Sequence, residues 1–310
     1  MIEFCGLRLE HPIVNGSGTF DAIAARRAFG DALLAAFPFS AFVSKTITLA
    51  PRAGNPPPRL WEAPAGMINS IGLPNRGLQG YLEHDVPQLA QLPVPLITNV
   101  MGSTAEEVAQ LVEAVDERAE VAAIELNVSC PNVRTGLDIG ADPASLAALV
   151  RVVRPLARKP LIVKLTPNTA DVAAVAAAAE SEGADAVSLI NTLRAMALDP
   201  RGAGPWLGGG TGGLSGPAIR SVALAQVAAV ARRVRIPIVG MGGIAHGNHA
   251  FDLMSVGAVL VAVGTENFRD PCAGSRIARE LKSLQIAGSP SSSLNTSDPR
   301  PEVDVNWADS

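Results

Sequence analysis

The chain has 310 residues, 48% of them hydrophobic and only 17% charged, with a formal net charge of −4. That is enough apolar material for a large core, and α/β barrels commonly reach this length as one domain. The mild acidity and the lack of a basic run argue against nucleic acid as the main partner, and no apolar run reaches the length of a membrane span.

Short β-rich runs alternate with Ala-rich helical stretches along the whole chain. Strands are expected at 13–15, 41–45, 96–100, 122–127, 161–165, 186–190, 236–240 and 259–263. Helical pattern follows each of them. Over 104–118, Glu106 and Glu107 fall in the first turn, where carboxylates complement the helix dipole, and the helix over 171–182 is ended by Gly183. Eight βα units in a chain of this size predict an α/β fold, a single-domain (β/α)8 TIM barrel over residues 1–286. A doubly wound open sheet is the competing arrangement.

Three segments interrupt the alternation. Residues 52–80 are rich in Pro and Gly (Gly54-Asn-Pro-Pro-Pro-Arg59), too long for an ordinary βα loop and so suspected of function. Residues 192–216 contain Gly208-Gly-Gly-Thr-Gly-Gly213 and read as a mobile lid or ligand loop. Residues 287–310 lack apolar periodicity, are dense in Ser, Pro and Asp, and are expected to form a disordered C-terminal tail.

In a barrel of this type the catalytic groups gather at the C-terminal ends of the strands. Those ends carry Ser17 and Gly18, Lys45 and Thr46, Asn99, Asn127 with Cys130, Lys164, Asn191 and Thr192, Gly242 and Gly243, Gly264 and Thr265. Ordinary turn chemistry explains polar strand ends, but matches two lysines and three asparagines poorly. A lysine that closes an apolar strand either pairs with a nearby carboxylate or meets a ligand. The turns Gly240-Met-Gly-Gly-Ile244 and Val263-Gly-Thr265 come after the last two strands, where such barrels bind phosphate, because glycine admits backbone N–H groups to the anion. Asn127-Val-Ser-Cys-Pro-Asn132 sets one thiol between two carboxamides. Cys130 there is either a buried structural cysteine or a base working beside amides that hold a polar ring. The three cysteines, Cys5, Cys130 and Cys272, fit neither a disulfide framework nor a metal or iron–sulfur site. The N-terminus, Met1-Ile-Glu-Phe-Cys-Gly, lacks the cationic and apolar regions of a signal peptide, so a cytoplasmic location is expected.

Several motifs run in order along the chain: Ser17-Gly-Thr-Phe20, Lys45-Thr46, Gly54-Asn55 with Pro58-Arg59, and Met67-Ile-Asn-Ser-Ile-Gly-Leu-Pro-Asn75. They continue with Glu125-Leu-Asn-Val-Ser-Cys-Pro-Asn-Val133, Val163-Lys-Leu-Thr-Pro-Asn168, Ile190-Asn-Thr-Leu193, Gly210-Thr-Gly-Gly-Leu-Ser-Gly-Pro-Ala-Ile219 and the two glycine turns. Jointly they resemble the dihydroorotate dehydrogenases, flavin enzymes of pyrimidine synthesis, over residues 3–284. The Gly-Thr-Gly-Gly-Leu-Ser-Gly block, with Cys rather than Ser as the base, is most similar to the class 1B catalytic subunit. That class works with a second subunit whose FAD and [2Fe-2S] cluster pass electrons to NAD.

The resemblance implies one FMN per chain, contacted by Ser17, Lys45, Thr46, Asn99, Asn127, Lys164, Ile190, Gly216, Gly242, Gly243, Gly264 and Thr265. It implies dihydroorotate held by Lys45, Asn69, Ser70, Ile71, Gly72, Leu73, Asn127, Asn191 and Thr192, with Asn132 a further contact. Cys130 is implied as the base that takes a proton from C5 while hydride passes from C6 to the flavin, giving orotate in the route to UMP. A cation such as Lys164 beside the flavin ring would stabilise its anionic reduced form. No metal is expected. With no cysteine cluster and no second nucleotide fingerprint, the FAD and [2Fe-2S] relay is expected on a partner subunit, in a heterotetramer built on a homodimer core; a diffusing acceptor such as fumarate is the alternative. The flavin-bearing part of a dihydropyrimidine dehydrogenase, which shares the Ser-Cys-Pro turn, and a non-catalytic flavin-binding barrel stand as rival readings. Residues 194–207 carry no usable family signature.

Overall fold

The computed structural model describes residues 1–129, 139–202 and 204–287. Cys130, Asn132 and the expected tail at 287–310 apart from Ala287, which ends the last helix, lie outside the described residues. From the N-terminus, β1 (Ile2–Phe4) and β2 (Leu7–Leu9) pair as an antiparallel hairpin. The barrel begins with β3 (Ile13–Asn15), then α1 (Ala22–Phe29), α2 (Asp31–Ala35) and β4 (Phe42–Val43). The chain then leaves the barrel for β5 (Leu60–Ala63) and β6 (Gly66–Asn69), and returns through α3 (Gly77–Gly80) and α4 (Val86–Leu89). Next come β7 (Leu96–Val100), α5 (Ala105–Asp116), β8 (Val121–Asn127), α6 (Pro143–Val153), β9 (Leu161–Lys164), α7 (Val172–Ser181) and β10 (Ala186–Leu189). A second excursion, β11 (Leu193–Ala195) and β12 (Gly212–Ser215), precedes α8 (Arg220–Ala231), β13 (Ile238–Met241), α9 (Gly247–Ser255), β14 (Leu260–Val263) and α10 (Ala273–Ala287).

Eight parallel strands form one sheet in the order β3-β14-β13-β10-β9-β8-β7-β4, which is chain order read around a circle. This is the expected (β/α)8 barrel, and it excludes the open doubly wound sheet. Each expected strand falls on a barrel strand, within two residues at either end. Helix starts obey local chemistry: Thr104 caps α5 by accepting from the Glu107 N–H at 3.2 Å, and Asp171 caps α7 by accepting from Ala174 N–H at 2.9 Å. The seam between β3 and β4 is closed by a side chain. The buried Asn15 amide donates through Nδ2 to the Val43 carbonyl at 2.8 Å, and its Oδ1 accepts from the Val43 N–H at 2.8 Å. One asparagine thus supplies what a regular ladder would have supplied.

Alternate residues of the barrel strands divide into two cores, as a period of two requires. Ile13, Phe42, Leu96, Ile124, Leu161, Val187, Ile238 and Val261 pack outward against the helices. Val14, Val43, Ile97, Ala123, Ile162, Ala186, Val239 and Leu260 fill the interior, together with Phe4 and Leu9 of the hairpin, which plugs the end where the strands start. Continued along the strands, the interior parity reaches Lys45, Asn99, Glu125, Asn127, Lys164 and Ser188. The interior therefore turns from apolar to polar toward the C-terminal ends, and this is where a site can form.

The two excursions carry strands of their own. The strands β11, β12, β6 and β5, in that order, make one antiparallel sheet over the barrel mouth, with Ile68, Ala197 and Leu207 as its own buried cluster. Residues 192–216, read from sequence as a mobile lid or ligand loop, contribute two paired strands. β12 is Gly-Gly-Leu-Ser, with no β-branched residue to betray a strand. Glycine is required by proximity: a Cβ on Gly213 would lie 2.0 Å from Thr192 Oγ1.

Candidate active site

Between the barrel mouth and this second sheet lies a cavity of about 740 Å³. Of the residues named from sequence, Ser17, Lys45, Thr46, Asn127, Lys164, Ile190, Gly216, Gly242, Gly243, Gly264 and Thr265 line it. So do Asn69, Ser70, Ile71, Gly72, Leu73, Asn191 and Thr192. Asn99 does not line it but lies one layer deeper. There its Nδ2 donates to Glu125 at 2.5 Å while Ser188 Oγ donates to the other carboxylate oxygen at 2.7 Å. Asn99 Oδ1 is buried without a hydrogen-bond partner among the described residues. Ser129 also lines the cavity.

Polar groups in the wall are pre-committed in a way that leaves defined valences. Asn127 Oδ1 accepts from Ser129 N–H at 3.1 Å, and Asn191 Oδ1 accepts from Thr192 N–H at 2.8 Å. Among the described residues neither Nδ2 has an acceptor, so both asparagines keep N–H donors for a ligand. Asn69 is spent the other way: its Nδ2 donates to the Gly213 carbonyl at 3.2 Å, leaving Oδ1 as an acceptor. Two donors and one acceptor in one cavity suit a small ring with carbonyl and N–H edges. The 69–73 turn is held by Asn55, whose Nδ2 donates to Ser70 Oγ at 3.0 Å, and Asn55 is itself gripped by Arg59. Gly72 has φ 75°, and a Cβ there would lie 2.4 Å from the Asn55 nitrogen, so only glycine fits. Asn168 braces the segment after Asn191, donating to the Thr192 carbonyl at 3.1 Å and accepting from Arg194 N–H at 2.9 Å.

The electrostatics favour an anion although the chain is net acidic. Among the described residues the charged groups on the wall are Lys45, Arg52, Lys164, Arg194, Arg269 and Glu266, and Glu266 is already paired with Arg276 at 2.9 Å. Lys164 is buried, ladders with Asn127 and Ser188, and its ammonium pairs with no other described residue. A buried cation left unpaired is costly unless a ligand completes it. Lys45 reaches the open cavity, yet the protein around its ammonium lowers its pKa through lost hydration, with Asp21 pulling it back up.

A phosphate-bearing cofactor fits the turns after β13 and β14. The backbone N–H groups of Gly242, Gly243, Gly264 and Thr265 donate to no acceptor among the described residues, and all four residues line the cavity. Unspent N–H groups at consecutive strand ends are what an anion needs. A side chain at Gly264 would meet only Thr19, at 3.8 Å, so that approach is open. Among the described residues no cluster of His, Cys, Asp or Glu could hold a metal ion, and no helix is long and apolar enough to cross a membrane.

Sequence reasoning passed over Asn15, Asn168 and Ser188, and left Glu125 without a role. The inward parity of Glu125 and Ser188 was a usable signal; the partners of Asn15 and Asn168 were not.

Comparison with known proteins agrees with the geometry. A family model described as dihydroorotate dehydrogenase matches residues 1–284. The chain is 44% identical over 282 residues to a protein of Geobacter sp. (strain M21), covering 91% of each chain. It is 44% identical over 286 residues to one of Citrifermentans bemidjiense, covering 92% of each. With one of Pelobacter propionicus it shares 45% identity over 282 residues, 91% of each. All three are named dihydroorotate dehydrogenase B (NAD(+)), catalytic subunit.

Proposed function

The chain belongs to the dihydroorotate dehydrogenase family, and from that premise we propose that it oxidises (S)-dihydroorotate to orotate in the synthesis of UMP, with FMN as its cofactor. When bound, FMN supplies the acceptor for hydride leaving C6 of the substrate. Gly242, Gly243, Gly264 and Thr265 hold its phosphate through their N–H groups, and Lys164 sets a fixed positive charge against the remainder. Ser17, Lys45, Thr46, Asn127, Ile190 and Gly216 complete the contacts from the wall, with Asn99 acting from the layer below. Dihydroorotate is held by Lys45, by the 69–73 turn (Asn69, Ser70, Ile71, Gly72 and Leu73), and by Asn127, Asn132, Asn191 and Thr192. The donors of Asn127 and Asn191 address its ring carbonyls, and Asn69 Oδ1 addresses a ring N–H. Cys130 takes the C5 proton. Lys45 counters the negative charge of the substrate.

The observation that carries this reading is one cavity that joins three features: unspent phosphate-type N–H groups, a buried lysine whose ammonium has no partner among the described residues, and three carboxamides with complementary free valences. The relatives' names speak of a catalytic subunit and of NAD(+). Three cysteines in the whole chain are too few for a four-thiolate cluster. We therefore assign FAD and [2Fe-2S] to a partner subunit, in a heterotetramer built on a homodimer of this chain. The cytoplasm, where free thiols stay reduced, is the compartment proposed. The test is anaerobic mixing of the purified yellow protein with dihydroorotate. Flavin bleaching by dihydroorotate and not by dihydrouracil is expected. The reverse preference would transfer the chain to dihydropyrimidine chemistry, and no bleaching with either would leave a non-catalytic flavin barrel.

A further inference from the structure

The turn after β13 is braced from outside the cavity by three helices. Ala245, just beyond the Gly242–Gly243 pair, has both backbone groups taken by side chains. Its N–H donates to Nδ1 of His249 at 3.2 Å, and its carbonyl accepts from Nη1 of Arg276 at 2.9 Å. The Gly247 N–H donates to Glu280 at 2.6 Å. On the remaining side Gly243 rests on Arg220, where an added Cβ would lie 2.6 Å from the Arg220 Cβ. Arg220 is in turn tied to Asp252.

Resting on the FMN reading, we propose that His249 is a positioning residue for the cofactor phosphate. Its imidazole accepts at Nδ1 and so fixes the course of residues 242–245, which present two of the four unspent N–H groups. The bond requires a bare Nδ1, and therefore a neutral ring with its proton on Nε2. The surroundings favour the neutral ring. Burial lowers the His249 pKa, as do Arg220 on α8 and His246, whose ring centroid lies 5.3 Å away, while Asp252 and a hydrogen bond with the Gly243 backbone pull it up. The charges on α10, Arg276 and Glu280, are engaged with each other at 3.3 Å and with the turn itself. No other hydrogen bond among the described residues takes the Ala245 N–H, so no other group substitutes for the imidazole.

The experiment compares FMN with riboflavin, which lacks the phosphate, by fluorescence quenching on the apoprotein near neutral pH. In His249→Phe, which keeps a ring but no acceptor, FMN affinity is expected to fall about tenfold while riboflavin affinity holds. In His249→Gln, whose Oε1 can accept the Ala245 N–H, the wild-type preference for FMN is expected to return. A Phe variant with the wild-type FMN-to-riboflavin ratio, or a Gln variant as weak as Phe, overturns the proposal. Should the Phe variant not fold, the ¹⁵N shifts of His249 in the wild-type protein decide it: a bare Nδ1 supports the assignment, a protonated Nδ1 refutes it. Wild-type protein that binds neither flavin removes the cofactor reading itself, and this proposal with it.

Discussion

Asn127 offers a substitution whose two halves can be separated. It ends β8 inside the barrel at 9% exposure, with Oδ1 occupied by the Ser129 N–H at 3.1 Å and Nδ2 without an acceptor among the described residues. Asn127→Ala removes both bonds. Asn127→Asp keeps an oxygen for Ser129 and removes only the donor. A buried ligand carbonyl that loses its donor costs about 1–3 kcal/mol, which at ~1.4 kcal/mol per factor of ten is about 5- to 150-fold in the orotate dissociation constant. The aspartate also faces an anionic ligand, so Asn127→Asp is expected to bind orotate no better than Asn127→Ala. Titration of the flavin absorbance with orotate measures both. If the aspartate variant binds like wild type while the alanine variant is weak, the amide serves only to hold Ser129, and the donor assignment is refuted.

Asn15→Ala should leave the Val43 N–H and carbonyl unpaired at the barrel seam, lowering stability by about 2–5 kcal/mol; an unshifted urea midpoint would show that the seam closes without it. Lys164→Met, similar in length but uncharged, should weaken FMN retention or slow flavin reduction, and unchanged values for both would mean that its charge is not directed at the cofactor. Without a partner subunit, dihydroorotate should still bleach the flavin while NAD turnover is slow, and co-purified partner should restore it. Efficient NAD reduction by this chain alone would overturn the two-subunit assignment, and brisk turnover with fumarate would place it among single-subunit enzymes.

The barrel was legible because its signals are local. Strands such as 96–100 and 161–165 are short apolar runs, and Thr104 and Asp171 announce their helices. The sheet over the mouth was not legible. Its strands β6 and β12 are separated by about 140 residues, and one of them is half glycine, chosen for close approach rather than for strand propensity. The site divides in the same way. Glycine turns and strand-end lysines show themselves in the sequence, since their chemistry is unusual for those positions. What each asparagine leaves free is invisible there, because it depends on partners such as Gly213, 144 residues from Asn69. Asn99 shows the limit: its strand-end position suggested a cavity residue, but the inward layer it occupies belongs to Glu125 and Ser188.

The most direct test of the central claim is the reductive half-reaction of wild-type and Cys130→Ala protein, tracked by anaerobic stopped-flow absorbance across neutral to alkaline pH. A free thiol ionises near ~8.5, so a thiolate base predicts that wild-type flavin reduction by dihydroorotate accelerates with pH until the thiol is fully ionised. Cys130→Ala should retain FMN and orotate while losing about 10²–10⁴-fold in that rate. A Cys130→Ala protein that reduces its flavin at the wild-type rate would contradict the assignment of the base and make this cysteine structural.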